Sequence, residues 1–306
     1  MTTTDPKAFI PDEGIALDEF EPNLVGRYKL DKVFAYASWV ATIIGLVVLA
    51  FLLISTFADG LPRLGSSFLT SFPSRNAERA GIASALAGTV WLLLITAAFA
   101  FPIGVGTGIY LQEFATDSWF AKILEVNISN LAAVPSIIYG LLGLMVFVRL
   151  LEPITGGRSV LAGGLTLALL ILPVIIVATR ETLKAIPDSL RIAGMALGST
   201  RWQVVRDHVL PLALPGILTG TILGLSRAIG ETAPLIVIGA QTFVPFLPTG
   251  LRSSFSALPI QIFNWTSRPQ EAFHANAAAA SIVLLVVLVS MNAVAIYLRN
   301  RFQKNR

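Results

Sequence analysis

The 306 residues are 55% hydrophobic and only 13% charged, about half the charged share of an ordinary soluble domain. That composition indicates a polytopic membrane protein, and the lack of cysteine excludes disulfides and cysteine-ligated metal sites. The formal net charge of +4 comes from Lys and Arg scattered over the expected loop ends, as topology signals are, not from a patch that would bind nucleic acid.

The first 32 residues carry Asp5, Asp12, Glu13, Asp18, Glu19 and Glu21. They read as a solvated, poorly ordered acidic arm. The first apolar run begins only after them, so no cleavable signal peptide is expected. Six membrane-spanning helices follow, over Val33–Thr56, Ile82–Leu111, Ile128–Leu151, Val160–Thr179, Pro215–Ala240 and Ala277–Leu298. The expected fold is all-α, with one permease-like membrane domain over 33–306. The second run holds Pro102 with Gly104, Gly106 and Gly108 close behind, a place for a bend. Tyr110 and Trp265, at span edges, read as interfacial anchors. Tyr139 fits a pathway lining and core packing equally.

Orientation follows from the basic residues. Of the 22 Lys and Arg, seven fall in expected outer loops, Arg227 lies within a span, and fourteen fall on the expected inner side. Both termini are therefore expected in the cytoplasm.

Between spans four and five lies a long inner loop, 181–211. Pro187 and Asp188 suit a helix start, Ser189–Leu197 looks helical, and Gly198 is a helix terminator. Ser199 or Thr200 can cap a second short helix that ends before Pro211. The expectation is a helix–glycine–helix elbow. Its small residues Ala193, Gly194, Ala196 and Gly198 suit either insertion into a partner's groove or a hairpin lying on lipid.

The fifth run places two charged residues, Arg227 and Glu231, in an otherwise apolar stretch. On one helix they lie four apart and can pair. Gly216, Gly220 and Gly224 share their face, so the face of close helix packing also carries the charges. An ionised group at mid-membrane costs at least about 2.5–3.5 kcal/mol, so it faces a bundle interior or a wet pathway. A solute-path role fits this better than an ion pair that only fixes packing. A guanidinium can donate two parallel hydrogen bonds to an oxyanion. Glu231 suits either holding Arg227 extended or a purely structural partnership.

No Gly is followed by Lys, so there is no phosphate-cradling nucleotide loop. His208 and His274 sit on different segments, and no nucleophile–base set converges. A metal, a cofactor and catalysis within this chain are not expected. Energy must come from a partner subunit or an ion gradient.

The loop resembles the Glu-Ala-Ala, three residues, Gly pattern of binding-protein-dependent ABC importer permeases. Here the triplet is Ile192-Ala193-Gly194, the glycine is Gly198 beside Leu197, and Val209-Leu210-Pro211 closes the pattern. The triplet departs at its first and third positions, so no role for the acid is carried over. Arg227-Ala228-Ile229-Gly230-Glu231-Thr232-Ala233-Pro234-Leu235 looks like the fifth-span pattern of phosphate importer permeases of the PstA type. Ala133-Val134-Pro135-Ser136-Ile137-Ile138-Tyr139-Gly140 and Leu258-Pro259-Ile260-Gln261-Ile262-Phe263 are similar to further elements of that family. The resemblance runs from about Ile82 to the C-terminus.

It implies a type I ABC importer permease fold in a bacterial or archaeal inner membrane. It also implies partners: a PstC-type permease subunit, a PstB-type ATPase dimer and a PstS-type phosphate-binding protein. Inorganic phosphate would pass near Arg227, Glu231 and Thr232, and Ala193, Gly194, Ala196, Leu197 and Gly198 would dock in the ATPase. Two alternatives of the same class are a permease for sulfate or molybdate and the PstC-type sister subunit. A proton-coupled secondary transporter is a third, though no internal repeat supports it.

Overall fold

The computed structural model describes residues 24–115 and 119–304. Most of the acidic arm, residues 1–23, lies outside them. The chain divides after Ile54. In the first unit, the described residues are the opening part of α1 (Leu24–Gly60), which begins eight residues ahead of the expected arm boundary. Its Val33, Trp39, Ile44 and Leu52 are all exposed. A helix apolar all round suits a hydrocarbon environment.

In the second unit the described residues are helical, without a strand. After α2 (Ser66–Thr70) come α3 (Ala83–Ile109), α4 (Trp119–Ala132), α5 (Ser136–Gly143) and α6 (Glu152–Thr155). Next are α7 (Val160–Lys184), α8 (Asp188–Ala196), α9 (Arg201–Val204), α10 (Leu210–Gly230), α11 (Ala233–Ile238), α12 (Leu258–Thr266) and α13 (Glu271–Lys304). Wide π-helical turns extend α3 over Tyr110–Phe114, extend α5 over Leu144–Leu150, and join α9 to α10 over Val205–Val209. Among the described residues, five helices are long and apolar enough to cross a membrane, or six if one bent pair counts as a span.

That bent pair corrects the third span. The run expected over Ile128–Leu151 is broken, and its two arms meet at 106°. Pro135 is the cause. It lacks an N–H and drives Val134 out of the helical region. Tyr139 is buried and donates its hydroxyl proton to the Leu131 carbonyl at 2.7 Å, which ties the arms together. Tyr139 thus packs between the two arms. In contrast α3 runs through Pro102 unbroken.

The middle of the bundle is α7. Glycines on its neighbours let them come close, as small residues do in membranes. Gly104 and Gly108 of α3 abut Ile175 and Thr179. From α10, Gly216 abuts Thr182, Gly220 abuts Ala178, and Gly224 abuts Ile175 and Ile171. The glycine seam expected of span five is thus a packing seam against span four. Two polar ties then join α10 to α13: Ser226 to Asn292 at 2.7 Å and Arg299 to Thr219 at 3.0 Å.

Trp265 corrects another expectation. It is fully buried, packed between Phe68 and Phe273 with ring centroids at 6.0 and 6.4 Å. Arg63 and Arg268 lie over the rings of those two phenylalanines, at 5.4 and 4.2 Å from the centroids. Tyr110, 58% exposed, remains placed as an anchor would be.

Close packing also fixes the loop before α12. The Leu258 amide donates to Thr89 Oγ1 at 2.9 Å, and a methyl group on Gly88 would collide with the Ser256 carbonyl. Backbone cannot swing aside as a side-chain tip can, so Gly88→Ala should destabilise by about 1–3 kcal/mol. Thermal unfolding in detergent should show the melting temperature lowered by about 5 °C.

Candidate functional site

Two places gather the residues singled out by sequence, one at each end of the α9–α10 rod. At the far end α10 stops at Gly230 instead of continuing to Ala240. Pro234 explains the stop. In a continuous helix its ring would press on the carbonyl four residues back, that of Gly230. Glu231 is extended, with φ −75° and ψ 119°, and Thr232 leads into α11 with Pro234 in its first turn.

Arg227 and Glu231 therefore do not share a helix, yet they still meet. Arg227 Nε lies 3.3 Å from Glu231 Oε1. The Arg227 side chain is 47% exposed and that of Glu231 17%. Among the described residues this is the one side-chain hydrogen bond of Arg227, so its two Nη groups are without a side-chain partner there. Around it stand two interrupted helices. Gly140 of α5 lies against Pro234 and Val237 of α11, with no room for a side chain. Irregular backbone at membrane depth is tolerated where it is packed in protein or lines a wet cavity.

At the other end is the elbow. α8 closes in a Schellman turn: the Ser199 amide donates to the Gly194 carbonyl at 3.2 Å and the Gly198 amide to Met195 at 3.0 Å. Gly198 has φ +84°, the left-handed conformation this turn needs. Thr200 caps α9 through a reciprocal box with Gln203. The second helix does not end before Pro211. It continues through the π turn to Gly230, and Pro211 follows directly on that turn, where the regular hydrogen-bond ladder is already interrupted.

Ala193, Ala196, Leu197 and Gly198 face outward, with Leu197 87% exposed. Gly194 does not. It is buried against Val204 and sets the closeness of α8 to α9. Ile192, in the first position of the triplet, is exposed.

Sequence reasoning missed the ion pair behind the elbow. Glu113, at the end of the α3 extension, is 2% exposed. Arg191 of α8 grips it with both fork arms, Nε to Oε2 at 3.1 Å and Nη2 to Oε1 at 2.7 Å. Donating to the Glu113 carboxylate holds the Arg191 guanidinium above its ordinary pKa, so it stays charged. Arg180, in the last turns of α7, reaches Glu125 of α4 at 3.0 Å. Nothing in a single sequence joins residues 78 positions apart, and a Glu just past an apolar run reads as an ordinary solvated charge.

A family model described as the binding-protein-dependent transport system inner membrane component matches residues 100–304. The chain is 33% identical over 264 residues to the phosphate transport system permease protein PstA of Yersinia pestis, covering 86% of this chain and 87% of that protein. It is 33% identical over 268 residues to PstA of Haemophilus influenzae, with 87% and 93% covered. With PstA 1 of Mycobacterium tuberculosis it shares 31% over 276 residues, 89% and 87% covered. Among solved structures, a bacterial ABC transporter that imports alginate superposes with a TM-score of 0.62 at 20% identity, covering 91% of this chain and 98% of that one. An inward-facing MetNI methionine ABC transporter gives 0.55 at 20% identity, with 70% and 94% covered. At that identity the likeness is one of fold.

Proposed function

The chain belongs to the family of binding-protein-dependent transport system inner membrane components, and from that premise we propose that it is the permease subunit of an ATP-driven importer of inorganic phosphate. Its fold is the type I importer permease fold, and it is a multi-pass membrane protein. The likeness to phosphate permeases over most of the chain carries the choice of substrate. The half-exposed Arg227 supplies a mechanism.

A second permease, a binding protein and an ATPase complete the machine. The binding protein delivers phosphate, and the two permeases enclose the path. Phosphate carries one to two negative charges near neutral pH. Stripping its water in an apolar passage would be prohibitive. One cation that donates two parallel bonds lowers that barrier. Glu231 limits retention, because it draws the guanidinium back once the anion leaves. At the elbow the exposed Ala193, Ala196, Leu197 and Gly198 enter the ATPase and receive its motion.

Purification with native partners, followed by reconstitution into proteoliposomes, tests this reading. Labelled phosphate should enter only with ATP and binding protein, and excess sulfate or molybdate should not compete. Competition by either would assign a different oxyanion.

The inner-side excess of Lys and Arg places the elbow and both termini in the cytoplasm. A reporter active only in the cytoplasm, fused after Arg306, should therefore be active. A reporter active only outside the membrane should be silent there, and its activity would overturn the six-span topology.

A further inference from the structure

Arg191 spends every one of its donors. Besides its two bonds to Glu113, Nη1 donates to the Ile186 carbonyl at 2.8 Å and to Asp188 Oδ1 at 3.0 Å, and Nη2 to the Leu183 carbonyl at 2.9 Å. A guanidinium has five N–H groups in a fixed plane, and here they join four pieces of chain. Glu113 ends the α3 extension, Leu183 lies in the last turn of α7, Ile186 is in the linker, and Asp188 opens α8. Next to this knot Phe114 stacks with Trp202 at 6.1 Å, and Arg201 lies over the Phe114 ring at 5.9 Å. The end of α3 thus holds both arms of the elbow.

Resting on the functional reading above, we propose that Glu113 is a positioning residue for coupling: through Arg191 it straps the elbow to the ends of α3 and α7, so that the elbow moves only together with those spans. A carboxylate 2% exposed is tolerated because its partner is bidentate and the remaining donors are satisfied. Sliding α8 away from α3 would leave that charge buried and unpaired, a state the structure strongly resists. Motion received at Leu197 and Gly198 therefore passes to α3 and α7 without being lost as slack in the elbow.

Coupling is read as phosphate delivered per ATP hydrolysed, in the complete complex at matched assembly. Glu113→Gln should lower that ratio about tenfold while hydrolysis continues. The double change Glu113→Leu with Arg191→Met removes both charges and spares the unpaired-charge penalty. If the pair only stabilises the fold, the double variant regains the wild-type ratio, and the proposal falls. If it straps, the double variant stays uncoupled. An unchanged ratio in Glu113→Gln also overturns it.

A second measurement needs no transport. The chain has no cysteine, so spin labels can be attached at Tyr110→Cys and Ser189→Cys alone, both at exposed positions. Their distance should be single and narrow, unchanged when ATP is added to the complex, and broadened by Glu113→Gln. A shift on ATP binding in otherwise wild-type protein would overturn the strap. A wild-type complex that moves no phosphate would overturn the functional reading and leave this distance to decide the strap.

Discussion

Arg227→Gln should reduce phosphate uptake about 100-fold with the complex still assembled. The guanidinium is held by one contact at 3.3 Å and is 47% exposed, so its loss removes little packing. What it removes is a bidentate, charge-assisted donor pair. Hydrogen bonds to charged groups contribute about 1.5–3 kcal/mol each, and about 1.4 kcal/mol is tenfold, so losing most of one pair gives two orders of magnitude. The substitution also leaves Glu231 facing the path without its partner, where it repels an anion. Glu231→Gln should be milder, lowering uptake a few-fold, because the cation remains. The double variant separates the roles. If Arg227 serves the anion, uptake stays low. If the pair only supports packing, removing both members restores uptake, and the site assignment fails. Uptake of labelled phosphate in vesicles, normalised to assembled complex, is the measurement.

Gly198→Val should leave the permease inserted and folded but cut phosphate transport per ATP about tenfold. No atom lies within 4 Å of where the side chain would begin, so collision within the chain is not the cause. The backbone is. At φ +84° a residue with a Cβ is strained by about 1–2 kcal/mol, and a β-branched one suffers most. The Schellman turn opens, and the outward edge formed by Ala193, Ala196 and Leu197 loses its shape. Gly198→Asn should keep most coupling, because Asn tolerates the left-handed region. A Val variant that assembles with the ATPase and transports normally would remove the elbow from the coupling path.

The elbow was legible because its signals are local. Pro187 with Asp188, the glycine at 198 and a capping hydroxyl at 199 or 200 each act within a few residues of themselves. The helix ends were harder because apolar character continues across the breaks. Hydropathy runs through Pro135 and through Pro234, but each proline denies a hydrogen bond that the helix needs. The rule that a proline crowds the carbonyl four residues back would have placed the end at Gly230. Trp265 shows a different limit. An amphipathic ring near a span edge suits an interface or a core, and only the distant Phe68 and Phe273 decide. Glu113 and Arg191 lie further still from any local rule, since their meeting depends on how α3 and α8 are brought together.

The glycine seam has a mechanical consequence. Gly216, Gly220 and Gly224 seat α10 directly on the side chains of α7, with no side chain of their own between. α10 is also continuous with the second arm of the elbow, and α7 reaches the first through the three-residue linker 185–187, so a push there enters both at once. They then act as one lever. From Arg201 to Arg227 the rod is about 40 Å long at 1.5 Å per residue, so a tilt of about 5° at the elbow carries the guanidinium about 3 Å. That stroke is close to the length of a hydrogen bond. On the proposed mechanism, a small rotation at the docking surface is enough to make or break the grip on an anion at the opposite end.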